Sequence, residues 1–139
     1  MRITLFSIDE ANHAIARIRP RLHRLRAQKR EFDRLEARRS VLLIATQGAG
    51  AGNPDTLELA TLETKRRRLG QVIARALGEL AEEGALVKDL DTGLCDFYAL
   101  RGDRLVFLCW RLDEPELAHW HGIEEGFAGR RPLKNAERD

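Results

Sequence analysis

Four polar side chains in the last third of the chain could together bind a metal ion. They are Asp91, Asp96, Glu114 and His121. Carboxylate oxygens and an imidazole nitrogen suit zinc, iron or manganese better than calcium. His119 would point to the same face of a strand as His121, a spacing found at metal sites. The sequence therefore predicts a divalent transition-metal site as one hypothesis. The alternative is that His121 is a half-buried histidine hydrogen-bonded to a carboxylate, while Asp91 and Asp96 order turns.

Trp110, Trp120 and Arg130 are the candidate residues for binding a small ligand. The two rings could line a pocket, and the arginine could hold a carboxylate or phosphate through two parallel hydrogen bonds. The alternative is that the rings fill the core and that Arg130 forms an ion pair. Cys109, which lies between Leu108 and Trp110, is most simply a small core residue.

The composition predicts one cytoplasmic domain over residues 1–139. A charged fraction of 33% with 43% hydrophobic residues suits a protein of long helices. No run approaches the roughly 20 apolar residues of a membrane span. The start of the chain lacks the apolar segment of a signal peptide. The two cysteines are too few and too scattered for a disulfide framework. We therefore expect reduced thiols and no membrane contact.

Charge is unevenly distributed along the chain. Residues 1–47 carry 11 Lys and Arg against 5 Asp and Glu, whereas residues 85–139 carry 8 against 11. Clustered arginines could bind nucleic acid, but such a site also needs aromatic side chains that stack on bases. The helical half supplies only Phe6 and Phe32. We therefore expect a solvated helix surface and rank a nucleic-acid partner last.

The first two thirds of the chain predict two long helices. Ser7 and Glu10 match a capping box, after which apolar residues recur at three- and four-residue steps. A Gly-rich connection at 47–54 precedes a second helix, which Asp55 would cap and Gly84 would end. The two apolar stripes predict an antiparallel, coiled-coil-like hairpin. Two such hairpins side by side would bury more apolar surface, so we expect a homodimer with a four-helix bundle.

The hydrophobic period changes after the second helix. Short strands are predicted at 2–6, 86–90, 94–100, 104–112 and 116–121. The strand at 104–112 is apolar on both faces, so we expect it to be central in a sheet and covered on both sides. The predicted fold class is α+β, with a long antiparallel helical hairpin followed by a small antiparallel β-meander. The single domain would comprise the hairpin (7–84), a β-rich cassette (85–133) and a polar tail (134–139).

Three segments of the last third are similar to a known family. They are DLDTGLCDF (89–97), LCWRLDEPELAHWH (108–121) and GFAGRRPL (126–133). With an opening F-x-x-x-E-A-N at 6–12, they resemble short bacterial and archaeal proteins catalogued as domain of unknown function number 2203. The resemblance covers nearly the whole chain and implies no particular activity.

The resemblance does imply which positions carry the family's motif. They are Asp91, Gly93, Asp96, Phe97, Trp110, Glu114, Trp120, His121, Gly126, Phe127, Gly129 and Arg130. Asp113 stands where a glycine is expected, and His119 where a tyrosine is expected. The second departure weakens the argument for a two-histidine site.

Two functions remain open from the sequence. The first is a dimeric interaction or scaffold protein, with a second copy or an unidentified protein as its partner. The second is a protein, with or without enzymatic activity, that binds a metal or a small ligand through the acidic and histidine residues of the β-rich cassette.

Overall fold

The chain folds into two long helices followed by a five-stranded antiparallel sheet. The structure is a computed structural model that describes residues 3–133. Helix α1 spans Ile8–Ala45 and helix α2 spans Pro54–Glu82. The predicted α+β architecture, a helical hairpin followed by a β-meander, is confirmed. Within the described range, neither helix has a stretch long and apolar enough to cross a membrane.

Capping side chains determine where the helices begin. Ser7 caps α1 through the predicted capping box, because its hydroxyl accepts from the Glu10 amide and the Glu10 carboxylate accepts from the Ser7 amide. Helix α2 begins earlier than predicted, with Asn53 rather than Asp55 as the capping residue. The Asn53 side chain accepts from the Asp55 amide at 2.8 Å. Pro54 fits the first helical position because it has no amide hydrogen that needs a partner.

The five strands follow one another along the chain and across the sheet. They are β1 (Leu86–Asp89), β2 (Leu94–Arg101), β3 (Arg104–Trp110), β4 (His119–Gly122) and β5 (Arg131–Pro132). The predicted central position of β3 is confirmed. Strand β4 begins three residues later than predicted, because the preceding loop is bound to α1 through Asn12, which accepts from the Leu117 amide. The two-residue strand β5 was not predicted.

The N-terminal segment lies beside β2 without forming a strand. Within the described part of the predicted strand, residues 3–6 have no regular structure. The Phe6 amide nevertheless donates to the Tyr98 carbonyl at 2.8 Å. Arg2 and the predicted polar tail at 134–139 lie outside the described residues.

One face of the sheet packs on the helices. This inner face presents Cys95, Phe97, Val106, Leu108 and Trp110 to the first half of α1 and the second half of α2, and all of these form one buried apolar cluster. Burial of this surface is the main force that fixes the sheet against the hairpin.

The far part of the hairpin extends beyond this cluster. We call residues 33–68 the distal arm, since Phe32 and Leu69 are the last helical residues that pack against the cluster. In the arm, Leu42 and Leu62 are buried in the seam between the helices. Ion pairs also cross the seam, joining Arg38 to Glu58, Arg39 to Glu63 and Arg66 to Glu36.

The other face of the sheet carries polar and aromatic side chains. On this outer face the strand register places Asp96, Tyr98, Phe107, Cys109, His119 and His121 side by side, and Leu100 and Leu105 also lie on it. Although it faces away from the helices, Asp96, Phe107, Cys109 and His121 are all buried there.

Candidate functional site

Three potential metal ligands meet on the outer face. The register pairs Asp96 with Cys109 and Phe107 with His121, so Asp96 and His121 approach each other diagonally across β3. One ligand atom from each of Asp96, Cys109 and His121 lies within 4.8 Å of the others. The exposed fractions of the three residues are 2%, 0% and 3%. We call these three residues the outer-face cluster.

The ring of His121 is held between two acceptors. Its Nδ1 lies 2.9 Å from the Gly122 carbonyl oxygen, and its Nε2 lies 3.2 and 3.1 Å from the two Asp96 oxygens. A carbonyl oxygen only accepts, so Nδ1 carries a hydrogen and donates it. Nε2 then faces the carboxylate with a lone pair unless a proton or another cation lies between the two groups. The geometry therefore requires either a hydrogen or a metal ion between Nε2 and the carboxylate.

The third member, Cys109, has a thiol that is a poor nucleophile. Burial, together with the charge of Asp96, raises the pKa of Cys109 to about 12. A nucleophilic cysteine needs the opposite shift, because the thiolate is the reactive form. In addition, the Cys109 thiol interacts with Asp96 and Arg130. This arrangement argues against a cysteine–histidine–aspartate catalytic triad.

Cys109 is fully buried, as the sequence predicts for a small core residue, and it also belongs to the outer-face cluster. A signal for its position was present. The turn between β2 and β3 pairs Arg101 with Arg104. Asp96 lies five residues before Arg101 on β2, and Cys109 lies five residues after Arg104 on β3, so the two are paired across the strands. The other cysteine, Cys95, lies on the inner face, where burial raises its pKa to about 12.

Glu114 lies near the outer-face cluster but binds donors of its own. Its Oε1 accepts from Arg130 at 2.6 Å and from the Arg111 amide at 2.8 Å, and its Oε2 lies 3.3 Å from His119 Nδ1. Arg130 also donates to the Cys109 carbonyl at 3.2 Å. Glu114 and Arg130 therefore join the β3–β4 loop and the C-terminal segment to the edge of the cluster.

Asp91 lies apart from the other three predicted metal ligands. It is exposed in the turn after β1, where its carboxylate pairs with Lys29 of α1 at 3.5 Å. Its amide donates to Asp89 at 3.0 Å. The structure thus brings Asp96 and His121 together and places Glu114 beside them, whereas Asp91 lies next to Lys29 of α1.

The two tryptophans occupy different environments. Trp110 is fully buried on the inner face, where its indole donates to the Glu114 carbonyl at 2.9 Å. Trp120 is partly buried, with the guanidinium groups of Arg101 and Arg131 at 4.2 and 4.9 Å from its ring centre. The guanidinium over Trp110 is that of Arg19, at 5.1 Å from the ring centre, whereas Arg130 lies 4.8 Å from the ring centre of Phe127.

Cavities occur elsewhere on the described surface. One of about 520 Å³ lies between the start of α1 and the β2–β3 turn and is lined by Phe6, Ile8, Leu100 and Arg101 among others. Another of about 500 Å³ lies beside Tyr98 and Gly84. Neither is lined by the outer-face cluster, which is closed to solvent.

The chain was compared with known proteins. Residues 4–133 match the family described as uncharacterized conserved protein (DUF2203). Neither a curated protein nor a solved structure matches the chain. The family match spans nearly the whole sequence and agrees with the resemblance found in the segments at 89–97, 108–121 and 126–133. The chain therefore belongs to the DUF2203 family.

Proposed function

We propose that this protein binds a divalent transition-metal ion through Asp96 and His121. The observation that carries the proposal is the orientation of the His121 ring. Its Nδ1 is occupied by the Gly122 carbonyl, so its Nε2 points at the Asp96 carboxylate. Metal-ligating histidines commonly donate their second ring nitrogen in this way, because the bond fixes the tautomer and aims the lone pair.

The spacing of the two donors is close to what a metal ion needs. Zinc–nitrogen and zinc–oxygen bonds of about 2.0–2.2 Å at a tetrahedral angle place two donor atoms about 3.4 Å apart. Nε2 lies 3.1 and 3.2 Å from the two carboxylate oxygens. Small side-chain rotations would increase the distance between Nε2 and the carboxylate oxygen by the remaining few tenths of an ångström. The ion would replace the proton that otherwise lies between the two groups.

The proposal assigns no ligand role to Asp91 or Glu114. The Asp91 carboxylate is exposed and pairs with Lys29 of α1. The Glu114 carboxylate is engaged by Arg130 and by the Arg111 amide. The competing interpretation is a buried ion pair that merely links β2 to β4.

Metal analysis of protein purified without chelators, followed by calorimetric titration with zinc, separates these interpretations. We expect about one equivalent of bound ion. His121→Ala and the nearly isosteric Asp96→Asn should each weaken binding by at least about tenfold. His23→Ala is the matched control, because His23 lies exposed on α1. If the folded wild-type protein binds none of zinc, cobalt, iron or manganese at micromolar concentration, the proposal is wrong.

A second candidate function, self-association as a scaffold or interaction protein, is favoured by the tip of the distal arm. Val41, Ile44 and Leu57 are exposed there to 54%, 71% and 58%. Val41 and Ile44 are one helical turn apart on α1, and Leu57 lies in the first turns of α2. A second copy packed against this patch would convert two helices into a four-helix bundle.

Light scattering at micromolar concentration tests self-association directly. We expect a dimer for the wild-type chain and a monomer for the double variant Ile44→Lys with Leu57→Lys. Val72→Lys is the control, since Val72 is similarly exposed at 48% but lies on α2 outside the distal arm. A monomeric wild-type protein would rule out the dimer.

A further inference from the structure

The outer-face cluster contains a third donor whose chemistry would determine which ion it binds. We propose that Cys109 supplies a thiolate ligand, so that the cluster is a sulfur–nitrogen–oxygen site selective for zinc or another thiophilic ion. This inference rests on the proposed metal-binding function and goes beyond it by naming the class of ion. On binding, the metal–sulfur bond forms, the S–H bond breaks and the proton passes to solvent.

The register of the sheet places the Cys109 sulfur next to the potential ligand atoms of Asp96 and His121. Asp96 and Cys109 are directly paired on β2 and β3, and facing side chains in such pairs lie close together. The potential ligand atoms of Asp96, Cys109 and His121 are all within 4.8 Å of one another. A zinc–sulfur bond of about 2.3 Å places the sulfur about 3.6 Å from a nitrogen or oxygen ligand. No pair of donors that includes the sulfur therefore needs to approach by more than about 1.2 Å to bind an ion.

Charge at the site also fits a divalent ion. An Asp96 carboxylate and a Cys109 thiolate together carry two negative charges, while His121 ligates as a neutral imidazole. Arg130, which donates to the Cys109 carbonyl, is already compensated because it pairs with Glu114 at 2.6 Å. The site can accept a divalent ion without leaving an unbalanced buried charge.

The thiolate is what makes the site selective. Soft sulfur ligands favour zinc and similar ions, whereas sites built only from carboxylate, carbonyl and water suit magnesium, calcium and manganese. A site of Asp96 and His121 alone would also bind manganese and iron when their concentrations are high enough. Addition of Cys109 should therefore shift the preference strongly toward zinc and cobalt.

Cobalt titration tests the inference through an optical signal that only sulfur ligation produces. We expect the wild-type protein to show a thiolate-to-cobalt charge-transfer band in the near ultraviolet, together with visible ligand-field bands. Cys109→Ser should lose the charge-transfer band and bind zinc at least about tenfold more weakly. Cys95→Ser is the matched control, because Cys95 is equally buried but lies on the inner face. It should retain both signals.

The possible outcomes separate this inference from the proposal beneath it. Ligand-field bands without a charge-transfer band, or a charge-transfer band that survives Cys109→Ser, would show that cobalt binds without Cys109 and would overturn the inference alone. Binding of manganese or iron but of neither cobalt nor zinc would overturn the inference alone, and failure of the folded wild-type protein to bind any of the four ions would overturn both. X-ray absorption of the zinc-loaded wild-type protein gives a measurement independent of any variant. One sulfur at about 2.3 Å from zinc is expected, and a shell of only nitrogen and oxygen contradicts the thiolate ligand.

Discussion

Replacement of Glu114 by alanine should destabilise the protein by about 3 kcal/mol, because one carboxylate holds three parts of the chain. Its Oε1 accepts from Arg130 in the C-terminal segment at 2.6 Å and from the Arg111 amide at 2.8 Å. His119 on β4 lies 3.3 Å from the other oxygen. Alanine would remove these acceptors and leave the Arg130 charge without its carboxylate partner.

The magnitude follows from burial and from the kinds of bond lost. The side chains of Arg130 and Glu114 are only 11% and 15% exposed, so water replaces the lost partner incompletely. A hydrogen bond between charged groups is worth about 1.5–3 kcal/mol, and the bond to the Arg111 amide about 1 kcal/mol. An unfolding entropy of about 2.1 cal/mol/K per residue, over 139 residues, gives about 0.3 kcal/mol per degree. A loss of about 3 kcal/mol therefore lowers Tm by about 10 °C.

Urea and thermal unfolding, followed by tryptophan fluorescence, measure this loss. Trp110 donates to the Glu114 carbonyl, so the signal reports on the same loop. Glu58→Ala is the control, because its ion pair with Arg38 lies on the exposed arm, where water screens it, and its loss should leave the urea midpoint almost unchanged. A double-mutant cycle with Arg130→Ala isolates the pair. A loss below about 1 kcal/mol for Glu114→Ala would refute the reasoning that this carboxylate fixes the loop.

Three further predictions concern the backbone, the first helix and the thiols. Gly93→Ala should destabilise the fold by about 2–4 kcal/mol, since Gly93 has φ +68° and an added Cβ would lie 2.5 Å from Leu112 Cβ; an unchanged urea midpoint would contradict this. Ser7→Ala should lower the free energy of unfolding by about 1 kcal/mol through loss of the helix cap, and an unchanged value would show that the cap is dispensable. Cys95 and Cys109 should not react with a disulfide reagent at pH 8 until urea unfolds the chain, because a pKa of about 12 leaves about one thiol in ten thousand ionised. Rapid labelling of the native protein would contradict their burial.

The sequence predicts the helices and the order of the strands well because those signals are local. The Ser7 and Glu10 pair appears in the structure as the predicted capping box. Alternation along β3 correctly separates inner residues such as Trp110 from outer residues such as Cys109. Where two capping residues compete, as Asn53 and Asp55 do, the sequence alone does not decide which is used.

Elements that depend on distant contacts were missed. Strand β5 has only two residues and includes Pro132, so it has no hydrophobic alternation to reveal it. The late start of β4 depends on Asn12, which lies 105 residues away from its partner Leu117. No local pattern near β4 or β5 encodes these contacts, and for that reason the fourth strand was predicted too long and the fifth not at all.

The candidate site could be predicted only in part for the same reason. Asp96 and His121 lie on strands, where register and alternation determine which side chains meet. Asp91 and Glu114 lie in a turn and a loop, where direction depends on contacts with Lys29 and Arg130 that the sequence pattern does not specify. The sequence therefore predicts the position of a side chain on a strand better than that of a side chain of the same chemical type in a loop.

Stability alone does not explain why the outer face buries an acid, an imidazole and a thiol together. Buried ion pairs can often be replaced by apolar residues of similar volume without loss of stability, because removing charges from water opposes their attraction. The outer face has a pair of aromatic residues at the neighbouring position of the β2–β3 ladder, where Phe107 packs against Tyr98 with ring centres 4.6 Å apart. Asp96 and His121 instead keep polar groups 3.1 Å apart on the face of the sheet opposite to the inner face, and the Gly122 carbonyl orients the imidazole toward the carboxylate. With Cys109 at the third corner, the arrangement resembles a set of ligands held ready for an ion more than it resembles a device for stabilising the sheet.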